Sequence, residues 1–320
     1  MAIAVLGASS LLGKSLIEKL TAWNYPIESI VAVDNAIDDE NSTLEIAENK
    51  YDLLDPSEAD WGSVQAVIGC DEKLVQTYSD DILNFGGVLI NASATEVIGA
   101  TSTLTMEDGD WVGAQGAYQL PNSVVIMLTH LLKRLENEVG IEAVHVSVLL
   151  AVSENGQEGI DELASQTARL LNGLPIEPNI YSRQIAFNLL PQAIHPSTIA
   201  DDIEQQLGLI FSHSEPEVAA HSVTVPVFYG AMAQVTVNCQ GRVSIAECVD
   251  IWREIDSVEI QLDEPVTLVT DLNQNIYTSV SQIRQSPAQP RQLKFCVQAD
   301  VMNACVVPYL AKLIQRIGGM

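Results

Sequence analysis

A loop of small residues lies between the first apolar run of the chain, Ala2 to Leu6, and the amphipathic stretch that follows it. Glycines between a strand and a helix let backbone N–H groups approach a pyrophosphate at the helix N-terminus. Ser10 stands where that motif has its middle glycine, so a plain strand-to-helix turn capped by Ser9 or Ser10 explains the loop equally well. The candidate cofactor-binding residues of this loop are Gly7, Ser9, Ser10, Leu11, Leu12 and Gly13.

Asp34 follows the next apolar run, at the spacing of an acid that bonds the ribose hydroxyls of a dinucleotide. A carboxylate at that place repels a 2′-phosphate, so Asp34 favours NAD over NADP. The alternative is that Asp34 merely opens an acidic loop, which we predict for residues 35–49. The sequence leaves NAD, NADP or no cofactor open, with NAD favoured.

A second set of residues with chemical potential begins at Pro121, which we predict to open a long helix. Asn122 and Ser123 are typical helix N-cap residues, and this alone explains them. Ser123 is also a hydroxyl nucleophile if a base lies beside it. His130, on the same predicted helix, and His221, before a predicted strand, are the candidate bases.

The cysteines and the remaining histidines give little indication of a disulfide, metal or catalytic role. The five cysteines are far apart and lack CxxC spacing, which argues against a disulfide framework or a zinc site. We expect them to be small buried hydrophobic residues. His145 lies in an apolar run and is interpreted as a core or interface histidine, while His195 and His213 suggest no role.

Composition bounds the class of protein. The 320 residues include 42 acids and 15 bases, for a formal net charge of -27, and 47% of them are hydrophobic. That hydrophobic content excludes a disordered chain. The charge argues against nucleic acids and anionic membrane surfaces as partners. We find no signal peptide and no apolar run of membrane-spanning length, so we expect a reduced, cytoplasmic protein.

Two kinds of pattern divide the chain. In the first third, short apolar runs at 30–33, 66–68 and 88–90 alternate with amphipathic stretches, which favours a doubly wound α/β domain on a parallel sheet. Further on, the strands at 143–150, 223–227 and 234–237 no longer alternate strictly with helices. This favours an α+β domain on an antiparallel or mixed sheet, and residues 301–317 predict a final amphipathic helix.

Six segments, taken in order, carry a resemblance to a known family. The series is similar to the aspartate-semialdehyde dehydrogenase family, resembles its Usg-like branch most closely, and spans most of the chain. Ala-Phe-Asn-Leu-Leu-Pro is its most distinctive member. The segments are Gly7-Ala8-Ser9, Pro121-Asn122-Ser123, Ala151-Val152-Ser153, Glu158 to Leu163, Ala186 to Pro191, and Val225-Pro226-Val227 with Gly230.

The resemblance implies both a fold and a chemistry. It implies a Rossmann-like nucleotide-binding domain at 1–121, completed by a helix at 300–320. It also implies a dimerisation domain at 122–299, of the type at the C-terminus of glyceraldehyde-3-phosphate dehydrogenase, and a homodimer. Tyr181, Val235 and Val237 are candidates for an exposed face that pairs with a second copy, and the sequence leaves open whether they lie at such an interface or in the core. The family reduces an aspartyl phosphate to its semialdehyde in amino-acid biosynthesis, using NADP and a cysteine thiolate.

The chain departs from the family at the positions that carry this chemistry. Ser123 stands at the nucleophilic cysteine, and Ala231 stands at the histidine base. Leu150 occupies the position of a glutamine, and Thr224 that of a substrate-binding arginine. A second arginine corresponds loosely to Val97, and the turn that is normally Gly-Ala-Gly is Glu154-Asn155-Gly156.

Nucleophile, base, orienting amide and anion-binding groups are therefore absent together. We interpret the chain as a dimeric pseudoenzyme with a binding or regulatory role, whose protein or small-molecule partner is unknown. The alternative is a working NAD(P)-dependent oxidoreductase that acts on an acyl phosphate or aldehyde. A serine-dependent hydrolase is a third reading, and it needs a base that the sequence does not identify.

Overall fold

A computed structural model describes residues 2–35, 43–46, 48–105, 115–192, 198–211 and 215–317. The chain divides into two compact units, Met1–Pro121 with Val306–Met320, and Asn122–Cys305. The first unit is built on an eight-stranded sheet and the second on a seven-stranded sheet. The predicted fold class, a Rossmann-like parallel sheet followed by an α+β domain, is confirmed.

The sheet of the first unit is parallel except at one edge, where β3 runs antiparallel to β4. Its order is β3-β4-β2-β1-β5-β6-β8-β7. Strands β1, β5 and β6 are buried along their whole length, as continuous apolar runs predict for a sheet covered on both faces. The strands are β1 (Ile3–Leu6), β2 (Ile30–Val33), β3 (Thr43–Ile46), β4 (Asn49–Leu54), β5 (Ala66–Gly69), β6 (Val88–Asn91), β7 (Thr101–Ser102) and β8 (Gly116–Gln119).

The sheet of the second unit is mixed, in the order β10-β11-β9-β12-β15-β14-β13. Strand β9 lies parallel to β11 and antiparallel to β12, so it joins the two halves of the sheet. The strands are β9 (Ile141–Leu150), β10 (Leu190–Pro191), β11 (Glu217–Thr224), β12 (Ala231–Cys239), β13 (Val258–Gln261), β14 (Thr278–Arg284) and β15 (Gln292–Ala299).

Seven α-helices complete the described part of the two units. Most begin at a side chain that caps the first turn, such as Ser10, Asp71 and Asn122. The helices are α1 (Leu11–Ala22), α2 (Glu72–Asn84), α3 (Ser123–Val139), α4 (Gly156–Leu171), α5 (Ile199–Ile210), α6 (Ile245–Arg253) and α7 (Val307–Ile317). None of these helices is both long and apolar enough to cross a membrane.

The core of the second unit lies between one face of its sheet and helices α3 and α6. Trp252 on α6 packs against Phe295 on β15 with ring centroids 4.7 Å apart, and its indole N–H donates to the Leu131 carbonyl of α3 at 3.2 Å. Val235 and Val237 on β12 point into this core and are buried. The exposed-face alternative for these two valines is therefore wrong, and so is that for Tyr181, which is buried as well.

The opposite face of the same sheet carries a different set of side chains. His145 and Ser147 on β9 are exposed there, beside Gln234 on β12, which is the register partner of Ser147. Of the two interpretations for His145, a core position is thus wrong. Strand alternation distinguishes two faces, but which one meets the core depends on distant helices.

Two other predicted boundaries differ from the structure. Part of the predicted acidic loop is strand β3, which pairs with β4 and carries an exposed Lys50–Glu45 ion pair at 2.8 Å; residues 36–42 and 47 lie outside the described residues. The predicted last helix begins as a π-helix, Val301–Val306, before α7 continues it.

Gly13 gives a test of packing in the first unit. A Cβ at Gly13 would overlap the Gly7 carbonyl oxygen and lie 2.9 Å from the Ala8 Cα. We expect Gly13→Ala to destabilise the protein by about 1–3 kcal/mol, because the clashing atoms are backbone. Scanning calorimetry and chemical denaturation measure this.

The matched control is Gly208→Ala, in α5, where nothing lies within 4 Å of the added Cβ. There we expect stabilisation of about 0.5–1 kcal/mol, since alanine favours helix over glycine. Equal effects of the two substitutions would contradict the packing role of Gly13.

Candidate functional site

The loop after β1 has two glycines that the backbone requires. Gly7 has a φ of +86°, and a Cβ there would lie 2.5 Å from the Cβ of Asp71. Gly13 sits against the Gly7 carbonyl, which brings α1 close to the strand. Both positions meet the steric demands of a dinucleotide-binding loop.

Ser10 at the middle position acts as the N-cap of α1. Its hydroxyl accepts a hydrogen bond from the Gly13 amide at 3.0 Å and donates to the Cys70 carbonyl at 3.3 Å. The amides of Leu11 and Leu12, both partly exposed, donate to no residue within the described ranges. Ser10 is therefore a cap, and two helix N-terminal amides remain to receive a phosphate or water.

Asp34 follows β2 and is tied to the same loop. Its carboxylate accepts hydrogen bonds from the Ser9 amide at 2.8 Å and from the Ser9 hydroxyl. The Gly7 amide also donates to the Val33 carbonyl at 2.8 Å. The structure thus brings Asp34 to the glycine loop, although the two lie 25 residues apart in the chain.

In the second unit, three of the predicted positions form one row across adjacent strands. Leu150 on β9 is the register partner of Thr224 on β11 and of Ala231 on β12. All three residues are buried, with exposures of 1%, 7% and 0%. The sheet therefore places side by side the residues that the resemblance assigns to glutamine, arginine and histidine. A substrate has no access to these side chains as the chain stands.

Ser123 is the first residue of α3, in a region where Asn122 and Ser123 both form side-chain hydrogen bonds. Asn122 caps the helix by accepting from the Val124 amide at 2.9 Å, and its own amide donates to Gln206 at 2.7 Å. The Ser123 hydroxyl donates to the Glu154 carboxylate with Oγ and Oε2 3.4 Å apart. Both residues are partly exposed, and the hydrogen-bond partner of the Ser123 hydroxyl is a carboxylate rather than a histidine.

Glu154 belongs to the 3-10 turn Val152–Asn155, which directly follows β9 and Ala151. Burial raises the pKa of its carboxyl group above the usual range, and the hydrogen bond from Ser123 acts in the opposite direction. Sequence reasoning named Glu154 only as a departure from a glycine-rich turn. The sequence holds no local signal for this contact, because Ser123 and Glu154 lie 31 residues apart in the chain.

The turn that holds Glu154 is fixed by the segment between β11 and β12. The amides of Ala151, Val152 and Ser153 donate to the carbonyls of Gly230, Val227 and Phe228 at 3.1, 2.9 and 3.1 Å. A Cβ at Gly230, where φ is +94°, would lie 2.8 Å from the Ala299 carbonyl oxygen. The position of Glu154 therefore depends on backbone contacts with the segment that ends at Ala231.

Helix α4 positions the Ala-Phe-Asn-Leu-Leu-Pro segment from inside the second unit. The buried Glu162 accepts from the Ile180 amide at 2.6 Å, and the buried Gln166 accepts from the Ile185 amide at 2.9 Å. Beyond these anchors, Phe187 and Leu189 are exposed. Polar side chains thus hold the loop while it presents apolar side chains outward.

The other candidate groups stand apart from this site. His130 and His221 are exposed, and Ser123 hydrogen-bonds Glu154 rather than either of them; His195 and His213 lie outside the described residues. All five cysteines are free and buried, as predicted, and burial raises the pKa of Cys239 to about 11 and of Cys248 to about 12. Within the described ranges, no three His, Cys, Asp or Glu side chains form a metal-binding group.

Residues 132–302 match the family model described as semialdehyde dehydrogenase, dimerisation domain. The match covers more than half of the chain, which therefore belongs to this family. The resemblance drawn from the ordered motifs is confirmed.

Individual relatives bear the names that the motifs suggested. The chain is 26% identical over 315 residues to aspartate-semialdehyde dehydrogenase 2 of Vibrio cholerae, covering 93% of this chain and 92% of that protein. It is 26% identical over 309 residues to the USG-1 protein homolog of Pseudomonas aeruginosa, with the same coverage. The crystal structure of aspartate semialdehyde dehydrogenase II from Vibrio cholerae, complexed with ASA, has a TM-score of 0.87 at 24% identity and covers 98% of both chains. The aspartate semialdehyde dehydrogenase of Candida albicans, solved with NADP, has a TM-score of 0.70 at 15% identity.

Proposed function

We propose that this chain is a homodimeric, cytoplasmic member of the semialdehyde dehydrogenase family that has lost dehydrogenase chemistry and acts by binding a partner or a small metabolite. The observation that carries the proposal is the buried row of Leu150, Thr224 and Ala231. The family roles of these positions come from the resemblance alone. None of the three side chains can move a proton at neutral pH or bind an anion by charge.

The proposed loss is chemically severe. A serine hydroxyl ionises far above neutral pH, whereas the family reaction needs a thiolate. Removing a general acid–base group or an electrostatic donor typically costs roughly 10²-fold or more in rate. Losing the nucleophile and the base at Ser123 and Ala231 together leaves no route through the family mechanism.

A second candidate function rests on the first unit. Gly7 and Gly13 lie where a dinucleotide-binding loop needs glycine, since a Cβ at either position would clash. The amides of Leu11 and Leu12 donate to no described residue and can bind a pyrophosphate. These observations favour a retained dinucleotide site, and with it an NAD(P)-dependent oxidoreductase acting on an acyl phosphate or an aldehyde. At such a site the two amides and Gly7 would face the pyrophosphate, and Asp34 would face the ribose. A bound nicotinamide would accept or supply a hydride.

The preference between NAD and NADP tests the role of Asp34. We expect calorimetric titration to show tighter binding of NAD, because the carboxylate repels a 2′-phosphate. Asp34→Asn should narrow the ratio of the two dissociation constants by roughly tenfold. Glu58→Gln, an exposed acid with the same change of charge, should leave the ratio unchanged. Preference for NADP would contradict the role proposed for Asp34, and failure to bind either nucleotide would contradict the proposed dinucleotide site.

Restoring the nucleophile alone tests the loss of the base. We expect Ser123→Cys to show no phosphate-dependent oxidation of aspartate semialdehyde with NAD or NADP, because Leu150, Thr224 and Ala231 supply neither the histidine base of the family nor a charge that binds the substrate carboxylate or phosphate. Alkylation of the new thiol, followed by mass spectrometry, checks that it is reachable. Turnover by Ser123→Cys, or by the unmodified chain, would overturn the proposed loss of chemistry.

The homodimer is expected to use the sheet face opposite α3 and α6. That face exposes His145, Ser147 and Gln234, none of which carries a fixed charge that a second copy would have to neutralise. We expect Ser147→Arg to shift the protein from dimer to monomer in sedimentation velocity, because it brings like charges together across a two-fold axis. Asn137→Arg, exposed on α3, is the control and should stay dimeric. A dimeric Ser147→Arg variant would show that another surface is used.

A further inference from the structure

The pair formed by Ser123 and Glu154 has a geometry that the proposed loss of dehydrogenase chemistry does not use. The hydroxyl and the carboxylate lie 3.4 Å apart, and both residues are partly exposed, whereas Leu150 and Ala231 are buried. A nucleophile within hydrogen-bond reach of a base is the arrangement of covalent catalysis, and its distances are often longer in an unliganded protein.

We propose that Ser123 and Glu154 form a serine-dependent acyl-transfer site that accepts uncharged esters or thioesters. The proposal shares its location with the proposed function but does not need a dinucleotide. It provides the base that the sequence lacked for a serine nucleophile, since neither His130 nor His221 is the hydrogen-bond partner of Ser123.

The reaction balances with water as the only co-reactant. The Oγ atom of Ser123 forms a bond to the acyl carbon, the bond from that carbon to the leaving oxygen or sulfur breaks, and the hydroxyl proton passes to Glu154. Glu154 then protonates the leaving group. Water next attacks the acyl carbon of the acyl-serine ester and gives one proton to Glu154. The bond between that carbon and Oγ breaks, Glu154 passes the proton to Oγ, and the acid leaves.

A backbone amide at the start of α3 suits the negative charge that develops on the carbonyl oxygen. The Asn122 side chain occupies the Val124 amide. The amide of Ser123, a partly exposed residue, donates to no residue in the parts of the chain that the structure describes. An amide of the nucleophile itself is a common donor to such an oxyanion.

The charge of the surroundings selects the substrate class. Besides Glu154, the titratable side chains on α4, which packs against its turn, are Glu158, Asp161, Glu162 and Arg169. Arg169 lies in the last turn of α4, away from Glu154, and donates to the Pro175 carbonyl at 2.7 Å. Tyr181, which accepts from Asn155 at 3.1 Å, and Tyr229 in the segment before β12 are uncharged neighbours of the turn, and the first titratable side chain of α3 is His130. The position in this unit that the resemblance gives to an arginine carries Thr224. A carboxylate or phosphate on the acyl group would therefore meet acids without a compensating base.

Burial also sets the pH range in which Glu154 can act. Its raised pKa keeps part of the carboxyl protonated at acidic pH, where it cannot accept the Ser123 proton. The rate should consequently rise as the pH increases through that pKa and then level off. Removing the carboxylate should remove the rise.

Hydrolysis of p-nitrophenyl acetate by the full-length protein, without dinucleotide, tests the proposal. We expect release of p-nitrophenolate and an acetyl group on Ser123, located by peptide mass mapping. Ser123→Ala should abolish the acetylation, and Glu154→Gln should slow it by roughly 10²-fold and flatten its pH profile. Asp161→Asn, an exposed acid on α4, is the matched control and should behave like the unmodified chain. Ser123→Cys should be acetylated at residue 123, unlike Ser123→Ala, because a thiol is a stronger nucleophile than a hydroxyl.

Each other outcome overturns the proposal. If no acetyl group is found on Ser123, Ser123 is not the nucleophile. If Glu154→Gln acylates at an unchanged rate, Glu154 is not the base. Circular dichroism and thermal unfolding show whether a silent variant is folded; Asn122 still caps α3 in Ser123→Ala. Failure here leaves the proposed loss of dehydrogenase chemistry standing, since that is tested by nucleotide-dependent turnover.

Discussion

The register of β9 is the constraint on which the site of the second unit depends. Parallel pairing with β11 puts Thr224 beside Leu150, and antiparallel pairing with β12 puts Ala231 on its other side. The turn that follows β9 is then fixed by three backbone hydrogen bonds to the segment before β12, and this turn carries Glu154. A slip of one residue would move every one of these side chains to the opposite face of the sheet.

Because the backbone sets this arrangement, the side chains in the row can change without loss of the fold. An amide, an imidazole or a guanidinium group in the row would need partners or water, since an unsatisfied buried polar group costs free energy. Leu150 and Ala231 have no polar side-chain atoms and are fully buried without such a cost. Next to this row along the chain, the turn that follows β9 carries Glu154, which forms a polar pair with Ser123. The burial of the row is consistent with the proposed loss of dehydrogenase chemistry, because the row offers no charge to an anionic substrate.

The sequence predicted the parts of this structure that are local. Continuous apolar runs located β1, β5 and β6, and Asn122 is the cap of α3 that its residue type indicates. The predictions that were wrong concern features that depend on contacts between residues far apart in the chain. Alternation in β12 distinguishes two faces, but the helices α3 and α6 decide that Val235 is the buried one. Likewise the Ser123–Glu154 contact joins residues 31 apart in the chain, and only the turn after β9 brings them together.

The glycine loop of the first unit shows why a retained motif is weaker support for a ligand than it first suggests. Gly13 is required because α1 packs against the Gly7 carbonyl, and Gly7 is required by its φ of +86°. Both demands exist whether or not a nucleotide binds. Asp34 is likewise held by Ser9 without any ribose. The amides of Leu11 and Leu12 differ, because Ser10 caps only the Gly13 amide, and these two donate to no residue that the structure describes. Water can satisfy them, but a pyrophosphate can satisfy both at once and also meets the positive end of the helix dipole. The case for a dinucleotide therefore rests on these two amides more than on the glycines.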